Sequence, residues 1–357
     1  MRTSEFDYFL PPEFIAQTPI EPRDASRLLV LHRSDGHIQH RHFRDITSYL
    51  RKGDLLVAND SRVIPARLFG HKIPTGGKVE LLLIKKRDDG NWDVLLKPGR
   101  RVKPGTVLAI HSITGTNAEA STIHPAPEMT ARVLASTEGG GRVISFSQPI
   151  EPLLDRIGMI PLPPYIHAPL ENPERYQTVY ARVRGSVAAP TAGLHFTPEL
   201  VQQLQQQGVE FAFVTLHISM DTFRPVHETN VEEHRMYSEY CEMPRETCEA
   251  INCARREGRR VIAIGTTTVR VLETAALRLQ AGETALKPFT GYTDLFIYPG
   301  FQFRVVDAMV TNFHLPRSTL LMLVAAFAGK DLIDRAYQEA IRERYRFYSF
   351  GDAMLIL

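Results

Sequence analysis

The loop Gly185-Ser186-Val187-Ala188-Ala189-Pro190-Thr191-Ala192-Gly193-Leu194-His195-Phe196-Thr197 has the make-up of a ligand-contacting segment. Gly185 and Gly193, with Ala188, Ala189 and Ala192, let the main chain approach a ligand closely, so that backbone amides make the contacts. Ser186, Thr191 and His195 supply its hydrogen-bonding side chains, beside Thr197, which is placed to cap the next helix. The positive end of that helix disfavours protonation of His195 and keeps a neutral base available. His217 and His314 fall at the loop edges of two other elements, where ligands bind in open α/β sheets, and histidine titrates near neutrality. Glu239 and Asp294 add carboxylates suited to proton transfer or to holding an amine. Gly265-Thr266-Thr267-Thr268 opens a helix directly after an apolar strand. Amides and partial positive charge there suit a carboxylate, and Arg270 offers a charged partner. Each feature also has an ordinary duty as tight loop, helix cap or core histidine.

A second set of side chains suits phosphate. Lys97-Pro98-Gly99-Arg100-Arg101-Val102-Lys103 places four cations on one turn, and Arg23, Arg27, Arg62 and Arg67 lie in polar, loop-like surroundings. Phosphate contacts would add salt-dependent affinity, whereas solvated ion pairs would add none. Trp92, on the strand leading into the turn, reads as a core residue in a β-pattern. Asp60-Ser61-Arg62 serves either RNA or a locked hinge. Cys241, Cys248 and Cys253 contain no CxxC pair, so neither a zinc site nor a disulfide framework is expected, and no metal-ligand cluster is visible.

The elements that position these groups follow from pattern. Apolar runs flanking Ser34-Asp35-Gly36 predict a hairpin. The run 53–60 reads as a short buried strand ending in a polar turn. Short β-rich runs at 79–85, 92–96, 106–110, 130–134 and 142–146, separated by glycine-bearing turns, predict a small barrel or sandwich over about 66–150. From 151 the pattern becomes α/β. Helices are expected at 198–207, 246–257 and 266 to about 281, strands at 211–216, 261–264, 294–298 and 305–311, and closing helices from Ser318. Strands alternating with helices imply a mainly parallel sheet covered on both faces.

The 357 residues, 43% of them hydrophobic, allow two domains with ordinary cores. Net charge is +2, from 42 Lys+Arg against 40 Asp+Glu, so any nucleic-acid contact must use local patches. No signal-peptide core or membrane-length apolar run is present, which points to a soluble cytoplasmic protein.

Several long motifs in one order carry a family resemblance: Pro22-Arg23-Asp24-Ala25-Ser26-Arg27, Asn59-Asp60-Ser61-Arg62-Val63-Ile64-Pro65-Ala66-Arg67, the 185–197 loop, Thr222-Phe223-Arg224-Pro225-Val226, Gly265-Thr266-Thr267-Thr268-Val269-Arg270 and Thr311-Asn312-Phe313-His314-Leu315-Pro316. Together they resemble the S-adenosylmethionine:tRNA ribosyltransferase-isomerase family of queuosine biosynthesis over nearly the whole chain. The resemblance implies a discontinuous α/β catalytic domain, 1–65 plus 151–357, with the β-barrel 66–150 inserted. It implies that S-adenosylmethionine is consumed as co-substrate without a metal. Its ribosyl part would join the aminomethyl-deazaguanine at the wobble position of a tRNA with a GUN-type anticodon, giving epoxyqueuosine and releasing adenine and methionine. Candidate catalytic residues are His195, His217, Asp294 and Glu239. Candidate S-adenosylmethionine contacts are Thr191, Gly193, Gly265, Thr266, Thr267, Thr268 and Arg270, and candidate RNA contacts are Arg23, Arg27, Arg62, Arg67, Lys97, Arg100 and Arg101. The protein is expected to be a monomer. The chain departs from the family pattern at Ile218-Ser219-Met220-Asp221, where glycines are usual, and at Tyr237, where a histidine is usual. An S-adenosylmethionine-dependent RNA methyltransferase and a non-catalytic RNA-binding protein are the alternatives. The absence of a GxGxG loop argues against binding this co-substrate in the Rossmann manner.

Overall fold

A computed structural model of the chain describes residues 1–114, 122–137, 140–219 and 225–357. β1 (Arg27–Leu31) and β2 (Ile38–His42) form the expected hairpin, whose turn holds Gly36 at φ 69°. β3 (Leu55–Asn59) is buried along its length, and β4 (Ser61–Val63) follows the polar turn. Six strands come next without an α-helix: β5 (Arg67–Ile73), β6 (Lys78–Lys86), β7 (Trp92–Lys97), β8 (Val107–Thr114), β9 (Thr122–Ser136) and β10 (Arg142–Phe146). The single turn α1 (Leu154–Ile157), β11 (Gly158–Met159) and β12 (Val183–Ser186) lead back to the first part of the chain.

The α/β series is α2 (Pro198–Gln206), β13 (Glu210–Leu216), β14 (Glu239–Met243), α3 (Arg245–Arg256), β15 (Val261–Ile264), α4 (Thr266–Leu277), β16 (Phe289–Thr293), β17 (Ala308–Asn312), α5 (Thr319–Ala328), α6 (Lys330–Arg342) and β18 (Ala353–Ile356). Local chemistry explains the boundaries. Thr197 Oγ1 accepts from the Leu200 amide at 3.1 Å and Pro198 opens α2, which buries Leu200 and Leu204 one turn apart. Ser318 caps α5 in the same way, accepting from the Leu321 amide at 3.2 Å. The strand expected at 294–298 does not form; the sheet uses Phe289–Thr293 instead, where Phe289 and Thr293 alternate with exposed Thr290 and Tyr292.

The large sheet has nine strands in the order β16-β14-β13-β3-β15-β17-β18-β1-β2. Its centre is parallel, with β3 between β13 and β15 and β15 beside β17, and β1 pairs in parallel with β18. Antiparallel strands complete both edges. The N-terminal β3 is therefore held between strands far later in the chain. α4 and α5 are buried almost all round, whereas α3 and α6 bury one face.

β5, β6, β7, β10, β9 and β8 are hydrogen-bonded in that sequence, and a β8–β5 pairing closes them into an antiparallel barrel. β11 adds to the end of β5 that β8 leaves open, pairing Gly158 with Leu68. The barrel core holds Trp92, Leu81, Val94, Ile110 and Ile144, and also takes Ile150, Leu154, Ile157 and Val187 from the following segment. Trp92 is thus a packing residue. β4 and β12 pair in parallel as a small link between barrel and sheet.

Candidate functional site

Two sites lie side by side, separated by the chain at Ile218. The first is a pocket of ≈ 50 Å³ at the carboxyl ends of the central parallel strands, lined by Thr191, Gly265, Thr266, Thr267, Asn312 and His314 among others. Three of the sequence motifs converge here, as expected for an open α/β sheet. Gly265 adopts φ 86° and starts α4, whose first-turn amides have no acceptor within the helix. Thr267 Oγ1 accepts from Asn59 Nδ2 at 3.3 Å, and that amide nitrogen also donates to the Leu216 carbonyl at 3.0 Å. Thr268 is turned away, its hydroxyl donating to the Ile264 carbonyl at 2.7 Å.

A hydrogen-bonded chain supports this pocket from beneath. Thr191 Oγ1 donates to Asn312 Oδ1 at 3.0 Å. Asn312 Nδ2 lies 3.1 Å from His195 Nε2, and His195 Nδ1 lies 2.8 Å from Ser26 Oγ. Asn312 Nδ2 has only hydrogens to give, so Nε2 is the acceptor and Nδ1 carries the proton. His195 is buried, stacked on Phe43 at 5.0 Å, and reaches only a ≈ 20 Å³ crevice. Both nitrogens are thus engaged within the protein, and His195 holds Asn312 in place. Gly193 is explained by its neighbours as well, since a Cβ there would lie 2.2 Å from the Tyr180 hydroxyl.

Burial pushes the imidazoles of both His195 and His314 down to about 3, with Arg346 and Arg23 adding to the effect at His195. His314 Nε2 is 2.7 Å from Thr311 Oγ1. Each remains neutral in the fold while its unfolded counterpart gains a proton below pH ~6.5. The unfolded chain therefore binds more protons between about pH 6.5 and 3, and stability falls with pH by ~1.4 kcal/mol per unit for each histidine. Urea unfolding across pH 6 to 4 should show this slope, reduced by one histidine's share in His195→Asn; an unchanged slope would contradict the assignment.

The second site is a cavity of ≈ 1210 Å³ between the barrel and the β13–β14–β16 edge of the sheet. His217, Glu239, Tyr240, Tyr292, Arg184 and Lys85 are on its walls. The His217 ring packs against Gly185, where a Cβ would sit 2.5 Å from Nε2, and stacks on Tyr240 at 5.4 Å. That contact is what requires glycine at 185. Burial lowers the His217 pKa, and its Nδ1 is buried without a hydrogen-bond partner among the described residues. Glu239 also reaches the cavity, but it is engaged as an anion: Oε1 accepts from the Ser219 amide at 2.8 Å, and Oε2 is paired with Arg270. Ser219 thus uses its departure from glycine to add a hydroxyl 3.3 Å from the same carboxylate oxygen.

Other expected residues are redistributed. Arg270 is buried, bound to Glu239 and to the Leu295 and Thr293 carbonyls, and is not among the residues lining either site. Asp294 is exposed and is not among the residues lining either cavity. Arg23 donates to the Gln177, Leu194 and Glu174 carbonyls, and Arg27 binds the Glu343 carbonyl while its guanidinium lies 3.8 Å from the centre of the Tyr345 ring. Both guanidinium groups are engaged within the protein. Arg62 and Arg67 pair with Glu174 and Glu80 on a ≈ 750 Å³ groove that Lys97 also lines. Arg100 and Arg101 are exposed. Asp60 is buried, bonded to Arg182 at 2.6 Å and to Thr215 at 2.7 Å, which supports the hinge role. Thr222, Phe223, Arg224 and Asp221 lie outside the described residues. Among the described residues no cluster of three metal-ligating side chains is present.

Sequence reasoning missed Asn59, Ser26, Tyr240 and Tyr292. Period-2 burial in β14, with Glu239, Cys241 and Met243 inward, was the available signal for Tyr240.

A family model described as queuosine biosynthesis protein matches residues 3–356. The chain is 52% identical over 360 residues to the S-adenosylmethionine:tRNA ribosyltransferase-isomerase of Moorella thermoacetica, and 54% identical over 359 residues to that of Thermotoga maritima, covering 100% of all chains concerned. The crystal structure of S-adenosylmethionine tRNA ribosyltransferase from Thermotoga maritima matches with a TM-score of 0.55 at 45% identity, covering 99% of this chain and 100% of that one. Motifs, fold and full-length similarity agree: the chain belongs to the queuosine biosynthesis protein family.

Proposed function

We propose that this chain is an S-adenosylmethionine:tRNA ribosyltransferase-isomerase. It transfers the ribosyl part of S-adenosylmethionine to an aminomethyl-deazaguanine in tRNA and isomerises it, releasing adenine and methionine. The observation that carries this reading is the meeting of the motif loops at the carboxyl ends of the parallel strands, directly beside a cavity large enough for a nucleoside. Incubation with precursor-bearing tRNA and mass spectrometry of the small molecules tests it. Adenine and methionine are expected; S-adenosylhomocysteine would indicate methyl transfer, and no product would indicate a binder.

In this reading the amine attacks the ribosyl carbon bearing the sulfonium, and a base removes protons to drive ring opening and adenine loss. His217, on the cavity wall with its pKa lowered by burial, is the base. The α4 N-terminus and Thr267 take the methionine carboxylate. Thr267→Ala should weaken S-adenosylmethionine binding by about 1.5–3 kcal/mol with tRNA affinity retained, checked by calorimetric titration.

The substrate tRNA carries a GUN-type anticodon, and the protein works as a cytoplasmic monomer. The barrel, 66–150, is a domain inserted into 1–65 plus 151–357, and its turn at 97–103 contacts phosphates. Arg100→Ala with Arg101→Ala should flatten the salt dependence of tRNA binding by about one unit of slope per lost contact, whereas an unchanged slope would remove the turn from the interface.

A further inference from the structure

The cavity between barrel and sheet has one wall made of rings. Tyr240 on β14 and Tyr292 on β16 are directly opposite in register and lie edge to face, with centroids 5.9 Å apart. Tyr240 in turn stacks on His217. The outer ring is open: Tyr292 is 44% exposed, and what covers its face is the Lys85 ammonium, reaching over from barrel strand β6 to 4.2 Å from the ring centroid. Lys85 is itself exposed, and Arg184 and Lys86, paired with Asp155 and Glu151, line the same cavity.

An exposed aromatic face ringed by cations is the chemistry that single-stranded nucleic acid uses, with bases stacking on rings and phosphates meeting ammonium and guanidinium groups. We propose that Tyr292 is the platform on which the target nucleobase stacks after leaving the anticodon stack, taking the place of Lys85, which swings to the neighbouring phosphate. The inference rests on the activity proposed above and names where its RNA substrate is read. It also gives the lysine a purpose: its ammonium occupies the face of the ring until a base displaces it. His217 remains in the same cavity, two ring-to-ring steps of 5.9 and 5.4 Å along the wall.

An anticodon stem-loop with 2-aminopurine at the wobble position is the probe, because stacking on a ring quenches its fluorescence and no turnover is required. Wild-type protein should quench it. Tyr292→Ala should abolish quenching and weaken binding roughly 5- to 100-fold, Tyr292→Phe should restore both, and S-adenosylmethionine affinity should be equal in all three. Wild-type quenching and affinity in Tyr292→Ala, or failure of Tyr292→Phe to restore them, overturns the platform. If Tyr292→Ala does not fold, ultraviolet crosslinking of wild-type protein to a stem-loop with 5-iodouridine at the wobble position decides. A crosslink to Tyr292 or Tyr240 supports the platform, and crosslinks confined to 97–103 overturn it. The activity is judged separately: adenine release by wild type with an unaffected Tyr292→Ala removes only the platform, whereas no adenine release by wild type removes the activity.

Discussion

His217→Gln is expected to lower the single-turnover rate by ~10²–10⁴ while leaving the affinities for tRNA and S-adenosylmethionine within a few-fold of wild type. Glutamine keeps hydrogen-bonding capacity but cannot carry the proton. The imidazole is held by a stack on Tyr240 and by the space that Gly185 leaves, so the loss should be chemical and not structural. Because burial lowers the His217 pKa, the wild-type rate should rise with pH through an ionisation below the usual histidine range and then stay level. Rapid-quench measurement from acid to alkaline pH checks both points. An ionisation retained in His217→Gln would show that another group is the base. Gly185→Ala should mimic the defect in part, since the added Cβ displaces the ring.

Arg270→Met should cost ~3–5 kcal/mol of stability, as expected when one partner of a buried ion pair is removed. Arg270 and Glu239 are each about 2% exposed, and the substitution takes the guanidinium away from the buried carboxylate. Pairing the change with Glu239→Gln should recover much of the loss, because the buried carboxylate that faced Arg270 is then replaced by a neutral amide. Urea titration of the single and double variants measures this, and equal stability of Arg270→Met and wild type would show that the pair contributes nothing. The same variants separate a structural role of Arg270 from a co-substrate contact. Co-substrate affinity in whatever fraction remains folded should be that of wild type.

The layers of the fold were legible in the sequence because local signals agreed with them. The 211–216 and 261–264 runs, the Thr197 and Ser318 caps and the glycine-punctuated β-runs of the barrel all became the elements they suggest. Residues 294–298 misled because an aromatic run looks like a strand, whereas the pairing with β14 is made by the preceding alternating segment. The site was legible only in part. Sequence identifies which side chains are polar in a loop, but not which already have partners inside the protein. Arg23, Arg27 and Arg270 look available and are spent on carbonyls or a carboxylate. His195 looks like a base and is held at both nitrogens. Conversely, nothing local distinguishes Tyr292, whose importance comes from Lys85 on the other lobe.

The placement of β3 and β18 carries a consequence for biogenesis. The barrel strands are consecutive in the chain, so the barrel can close as soon as its own residues have left the ribosome. The large sheet cannot follow it. β3 must wait for β13 and β15, and β1 must wait for β18, the last strand of the chain. During synthesis a finished barrel is therefore tethered to β1, which has only β2 beside it, and to β3, which lacks both of its neighbours, so the nascent N-terminal segment is the part most dependent on chaperone protection and the sheet is the slow step of folding.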